Sequence, residues 1–186
     1  MKHMKPKVKI IFPGYESAEN NGRSCSNVVL IRTDDRNIIV DPGTLPSQEI
    51  LIEKLKQEKL SVADIDIVFL THSHIDHTRN VGMFAIAKVL DFWGWWDGDL
   101  SSEYQNSDLE YIILYHTPGH SYDGVTLLVD SEDGKIAICG DVFWKKDYPK
   151  KDPFATDLKA LKKSRKKVLK MADFVIPGHG EMFSTK

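Results

Sequence analysis

An α/β (α+β) domain, with a mixed sheet system and helices outside it, is what the sequence predicts, on three observations. Runs of β-branched and apolar residues outnumber helical stretches. They occur both as tight hairpins and across longer crossovers, the mark of sheets holding antiparallel and parallel pairs together. The 186 residues contain no repeat and no linker rich in Gly, Ser or Pro, so a single domain over 1–186 accounts for the chain.

Residues 8–12 read as a short strand, followed by a turn-rich stretch through Asn20, Asn21 and Gly22. Residues 27–32 and 37–40 flank the polar turn Thr33-Asp34-Asp35-Arg36, a hairpin that Asp41-Pro42-Gly43 ends abruptly. Residues 47–58 place Ile50, Leu51 and Leu55 at helical spacing, with Ser47 as the N-cap. Residues 66–70 form an apolar strand core running into Thr71-His72-Ser73-His74. A short helix is expected to begin near His77 and to include Val81 and Phe84. Residues 87–90 and 110–115 read as strands. Residues 125–130 and 135–139 form a second hairpin around Glu132-Asp133-Gly134. Residues 157–171 make the strongest helix, and 173–176 the closing strand.

Composition narrows the function classes. Twenty-seven acids against 25 Lys and Arg give a formal charge of -2, so no global basic field seeks nucleic acid. No apolar run approaches the ~20 residues of a membrane span, which argues against a membrane partner. Cys25 and Cys139 form no CxxC pair and read as two reduced thiols, favouring a reducing cytoplasm. The N-terminal MKHMKPKVKI has basic residues without an apolar stretch and does not read as a secretory signal; His3 is set aside from the chemistry.

Five of the seven histidines fall in three clusters at or just after strand ends. In His72-Ser73-His74-Ile75-Asp76-His77, extended backbone points residues two apart the same way, so His72 and His74 can reach one ion together. Asp76 and His77 follow where the chain leaves the strand and can address a neighbouring point. Imidazole and carboxylate are ligands that zinc accepts, and imidazole suits iron as well. Thr117-Pro118-Gly119-His120 and Pro177-Gly178-His179-Gly180 each end a strand in a Pro-Gly turn presenting one imidazole. Cys139-Gly140-Asp141 repeats the pattern with a carboxylate. His116, alone on its strand, reads as an ordinary structural residue.

These motifs, in this order, resemble the metallo-β-lactamase-fold hydrolases over nearly the whole chain, from the hairpin closing on Asp41-Pro42-Gly43 through HxHxDH, TPGH, GD and PGHG. The resemblance is to short, single-domain members. It implies a four-layer αβ/βα sandwich of two mixed β-sheets flanked by helices, with metals at one edge. It implies that His72, His74 and His120 hold a first metal, that Asp76, His77 and His179 hold a second, and that Asp141 bridges them. Asp41 would accept a hydrogen bond from a ligand imidazole and fix its tautomer. Arg79 stands near a position that is usually glycine; it either lines the mouth of the site or points to solvent.

The implied cofactors are two divalent ions, zinc first, with iron or manganese open. Held ~3.5–4 Å apart, such ions share a water and lower its pKa toward ~7. Asp76 and Asp141 are then the catalytic carboxylates, and the expected partner is a small-molecule substrate: an ester, thioester, lactone or phosphodiester. Only seven residues follow His179, so the C-terminal glutathione-binding domain of glyoxalase II enzymes is expected to be absent, as is the inserted cap of the nucleic-acid-processing members. His74 stands where flavodiiron proteins carry Glu.

Two alternatives remain in enzyme classes. One is a mononuclear iron persulfide-dioxygenase-like oxidoreductase. The other is an RNA-directed phosphodiesterase, suggested by seven Lys or Arg over residues 158–170 opposite a stripe of Leu158, Leu161 and Val168. A non-catalytic metal-binding module is a third reading, and oligomeric state is not legible. Substrate choice is expected in the least regular segment, 91–99, where Trp93, Trp95 and Trp96 would wall the site, with Trp144 and Tyr148 contributing from the other side.

Overall fold

The computed structural model describes residues 4–186; His3 lies outside them. Among the described residues, twelve strands form two mixed sheets. The first contains, in spatial order, β1 (Lys7–Phe12), β2 (Val28–Arg32), β3 (Asn37–Val40), β4 (Ile67–Phe69), β5 (Lys88–Asp91), β6 (Gly94–Asp97) and β7 (Leu100–Ser102). Its central pairs β3–β4 and β4–β5 are parallel and the others antiparallel. The second comprises β8 (Ile112–His116), β9 (Val125–Ser131), β10 (Gly134–Ile138), β11 (Phe174–Ile176) and β12 (Phe183–Ser184), parallel only at β10–β11.

Alternation along the strands builds the layers. Val29 and Ile31 of β2, and Ile38 and Val40 of β3, meet Val125, Leu127 and Val129 of β9 in the core between the sheets. The intervening Val28, Leu30 and Ile39 face outward and pack with Leu51 and Leu55 of α1 (Gln48–Gln57). Ala137 and Val175 likewise face outward, onto Leu161 and Val168 of a long helix, residues 158–171. Each such fully buried aliphatic side chain contributes roughly 1.5–3 kcal/mol over its exposed state. The result is a four-layer sandwich, helix–sheet–sheet–helix.

Both long helices start on side-chain caps. Ser47 Oγ accepts from the Glu49 amide at 3.2 Å, and Asp157 Oδ1 accepts from Lys159 and Ala160 at 2.8 and 3.0 Å. Leu158, expected on the apolar stripe of the long helix, is 45% exposed; at the first helical position it lies one turn before Leu161, the residue that first meets the sheet.

Three expectations need correction. The helix near His77 begins earlier, as the four-residue α2 (Ile75–Thr78) with His74 at its N-cap, and Val81–Met83 is a separate 3-10 turn. The break falls at Asn80, whose amide side chain is turned inward onto the Pro42 carbonyl. The segment 91–99, read as irregular, supplies β6 and the turn to β7. Tight turns at Phe92-Trp93 and Gly98-Asp99, with positive φ at Gly94 and Gly98, extend the sheet there. The long helix (hereafter α3) turns two of its cations inward: Arg165 Nε donates to the Val142 carbonyl at 2.8 Å, and Lys167 lies 4.6 Å over the Tyr115 ring.

Cys25 and Cys139 are free and fully buried, and burial pushes both thiols upward. No helix among the described residues is long and apolar enough to cross a membrane. A thiolate-specific reagent at pH 8 should therefore label neither cysteine in the folded protein and both after denaturation. Rapid native labelling of either would contradict this packing.

Candidate metal centre

The carboxyl ends of four strands converge at one edge of the sandwich, the place where parallel strands present their loops. β3 runs into Asp41, β4 into Thr71-His72, β10 into the turn holding Asp141, and β11 into Pro177-Gly178-His179. β8 leads to His120 through Pro118-Gly119, and α2 supplies Asp76 and His77 from its first turn. All seven candidate ligands thus meet: six fall into two triads, His72-His74-His120 and Asp76-His77-His179, and Asp141 groups with His72 and His77 between them.

In the first triad, His74 Nδ1 lies 3.0 Å from His72 Nε2 and 2.9 Å from His120 Nε2. In the second, His179 Nε2 lies 3.6 Å from Asp76 Oδ2. Asp141 joins the two: its Oδ2 is 3.4 Å from His120 Nε2, while its Oδ1 is 3.3 Å from His77 Nε2 and 3.2 Å from His179 Nε2. One carboxylate oxygen addresses each triad.

The opposite ring nitrogens decide what these atoms can do. His77 Nδ1 is 2.7 Å from Asp41 Oδ2, and His120 Nδ1 is 2.6 Å from Asp152 Oδ2. His179 Nδ1 faces the Cys25 carbonyl at 2.9 Å. The Thr71 hydroxyl donates to Asp41 Oδ2 at 2.7 Å, so it accepts from His72 Nδ1 at 3.1 Å. Each outer nitrogen thereby carries a proton, so in the neutral ring each inner Nε2 is the lone pair that faces the centre. At most one proton, on His74 Nδ1, can lie among the three nitrogens of the first triad.

His77 Nε2 and Asp141 Oδ1 are both buried and, among the described residues, face only each other and the neighbouring ligand groups. Lone pairs and carboxylate oxygens facing one another in a dry space are a poor hydrogen-bond network and a good donor set for cations. The residues fit two divalent ions of borderline character. Burial alone would depress His77, but Asp41 and Asp141 outweigh it and hold its pKa well above the ordinary value. His179 is raised by Asp141, again against burial. His72, lacking such a carboxylate contact, is pushed well below by burial and the neighbouring imidazoles. Despite burial, His179 and His77 hold Asp141 well below the usual carboxylate range.

Residues without a sequence motif hold this geometry. Asp152 is 3% exposed, and its other oxygen accepts from the Phe154 amide at 2.9 Å, tying a metal-side imidazole to an aromatic wall. Asn27, equally buried, donates to the Pro177 and Gly180 carbonyls and clamps the His179 loop. Asp123 accepts from the Ser73 amide between the first two histidines. Ser24 Oγ donates to Asp76 Oδ2 at 2.5 Å. Gly178 must lack a side chain, since a Cβ there would fall 1.8 Å from Asp141 Oδ1.

A cavity of about 600 Å³ opens over the centre, walled by Ile75, Trp144 and Phe154 on the apolar side and by Glu16, Ser24 and Thr44 on the polar side. Trp144 thus lies where the sequence expected it. Trp93, Trp95 and Trp96 do not line this cavity. Trp95 packs on the inter-sheet core and donates to Asp108, Trp96 donates to Asp91, and Trp93 is 64% exposed. Trp93 borders only a small separate space of about 140 Å³ behind His72 and Ser73. The cause is the β5–β6–β7 extension, which carries the indoles along the sheet instead of over its edge. Arg79 is exposed at the end of α2 and is not among the cavity's walls. His116 sits at the end of β8, its ring 4.9 Å from that of Phe92 and outside both triads.

A family model described as the metallo-beta-lactamase superfamily matches residues 22–90. The chain is 30% identical over 156 residues to Metallo-beta-lactamase domain-containing protein 1 of Xenopus laevis, covering 78% of this chain and 67% of that protein. It spans 59–62% of the length of the mammalian relatives of that name. It is also 30% identical over 151 residues to Probable metallo-hydrolase MJ0296 of Methanocaldococcus jannaschii, covering 76% and 70% of the two chains. In fold it is similar to a candidate metallo-beta-lactamase from Thermotoga maritima, with a TM-score of 0.75, 24% identity and coverage of 97% and 99%. An N-acyl homoserine lactone hydrolase with product bound at its catalytic metal centre gives a TM-score of 0.67 at 19% identity, with coverage of 97% and 94%.

The Asp152–His120 contact makes a specific prediction. Asp152→Asn keeps the shape but weakens the acceptor, so metal affinity should fall about 10–100-fold, the usual cost of losing such a partner. Competitive zinc titration against a chromophoric chelator measures it; an affinity equal to wild type would mean that Asp152 does not position His120.

Proposed function

The chain belongs to the metallo-beta-lactamase superfamily, and from its metallo-hydrolase relatives and the geometry above we propose that it is a dinuclear zinc hydrolase acting on a small ester, thioester, lactone or phosphodiester. The observation that carries this reading is Asp141, buried, with one oxygen facing each triad. His72, His74 and His120 would hold one ion, and Asp76, His77 and His179 the other. Bound there, zinc would supply Lewis acidity, lowering the pKa of a water toward ~7 and polarising the electrophile.

The remaining steps fall to the protein's own groups. Asp76 borders the cavity and is held in place through Oδ2 by Ser24. It takes the proton that water gives up and delivers it to the leaving group. Asp41 and Asp152 keep the protons of His77 and His120 on the outer nitrogens throughout. Trp144, Phe154 and Ile75 exclude bulk water from one side and strengthen the electrostatic interactions within. The lactone hydrolase among the fold neighbours supports including lactones in the substrate range.

A panel of thioesters, lactones, a nitrocefin-type β-lactam and bis-p-nitrophenyl phosphate, run on metal-quantified protein, tests the reading. At least one class should be hydrolysed, with kcat falling about 100-fold or more in Asp141→Ala and Asp76→Asn at unchanged far-UV spectrum. An unimpaired Asp141→Ala variant would refute the mechanism. One iron per chain, with oxygen consumed in the presence of a persulfide, would replace it with the oxidoreductase reading.

A further inference from the structure

The cavity over the metal centre does not end at its aromatic wall. A second cavity, of about 590 Å³, lies beside it, and the two share Ser17, Trp144 and Phe154 as common borders. Tyr148, Pro149 and Pro153 continue the apolar lining of the second cavity, while Lys150 and Lys151 stand on its rim. Trp144 is 6% exposed and stacks against Phe154, with centroids 5.8 Å apart and planes 15° from parallel. Phe154 itself is 62% exposed, so its outer face is a free aromatic surface between the two spaces. Its backbone is fixed by the Asp152 carboxylate, the same group that orients His120. The stacking surface is thereby held at a set position relative to the metal side.

The charges around this ridge are unevenly satisfied. Lys145, nearest the centre, is taken up by Glu19 at 2.7 Å and Glu16 at 3.5 Å. Lys150 and Lys151 make no ion pair and no side-chain hydrogen bond among the described residues. Asp147 is the carboxylate bordering the second cavity, against these two cations. The space therefore offers a flat ring a stacking partner and leaves positive charge on its rim.

We propose that the substrate is an aromatic anion: a planar ring stacked on Phe154 beside the centre, and a phosphate or carboxylate group met by Lys150 and Lys151. This deepens the hydrolase reading and rests on it for the bond that breaks, though not for binding. A short neutral ester would react but leave the second cavity unused.

Calorimetric titration of the zinc-loaded protein with 1-naphthyl phosphate, 1-naphthoate and inorganic phosphate tests the proposal without requiring turnover. Both naphthyl anions should bind at least about tenfold more tightly than inorganic phosphate, and the tighter of the two names the head group. A K150Q/K151Q variant should weaken them roughly fivefold, the scale of two exposed ionic contacts. Phe154→Ala, at an exposed position where the fold is safe, should erase the advantage over inorganic phosphate. Naphthyl phosphate binding no better than inorganic phosphate, or keeping its affinity in both variants, overturns the proposal, since the anion would then be held at the metals alone. If such binding is lost while simple esters are still hydrolysed, only the substrate class fails. If the ligands bind as expected and no ester, lactone or phosphodiester is cleaved, only the hydrolase reading fails.

Discussion

The gathering of buried imidazoles and carboxylates at one point is the constraint around which this molecule is arranged. Imidazole nitrogens approach within 3.0 Å of one another in one triad, and a carboxylate oxygen faces two more imidazoles at 3.2 and 3.3 Å in the other. Buried acceptors without donors cost free energy, and a charged one costs several kcal/mol more. Asp41, Thr71, Asp152 and the Cys25 carbonyl hold the rings in this arrangement. The arrangement is thus imposed by groups outside the centre, and it suits divalent cations.

The fold supplies the stiffness that such an arrangement requires. The ligand-bearing loops leave the ends of strands whose side chains interlock across the inter-sheet core, so the loops start from fixed points. Close approaches then demand specific residues. Gly140, with φ of 49°, lets the turn before Asp141 pass against Thr71, and the bare Gly178 backbone leaves room for the Asp141 carboxylate. Asn27 spans from the start of β2 to the His179 loop, joining the two sheets at the site edge. Substrate-facing groups sit on the same rigid frame, because Asp152 links Phe154 to His120.

Much of this was legible in the sequence because the informative patterns are local. A period-two apolar alternation marks a strand, and a histidine just past its end marks a loop at the sheet edge. The cluster from His72 to His77 places four chelating side chains within six residues. What was not legible depends on distances across the chain. Asp152 lies 32 residues from His120 in a loop of lysines and prolines that carries no motif. Asn27 reaches residues about 150 positions away, and Asp123 reads only as a turn residue. The tryptophans misled for the opposite reason: they cluster in sequence, but Trp95 and Trp96 are neighbours on a strand and point to opposite faces. The Gly98-Asp99 pair was the available signal that this stretch folds back as sheet.

The most direct measurement is of cations in the centre. Elemental analysis of protein purified without added metal, then dialysed against zinc, should give two ions per chain. His120→Ala and His179→Ala should each retain one, because each removes a ligand from a different triad. Protein that binds no divalent cation tightly, or that keeps both ions in the two variants, would mean that these seven side chains are not the ligands and that the account of the site is wrong.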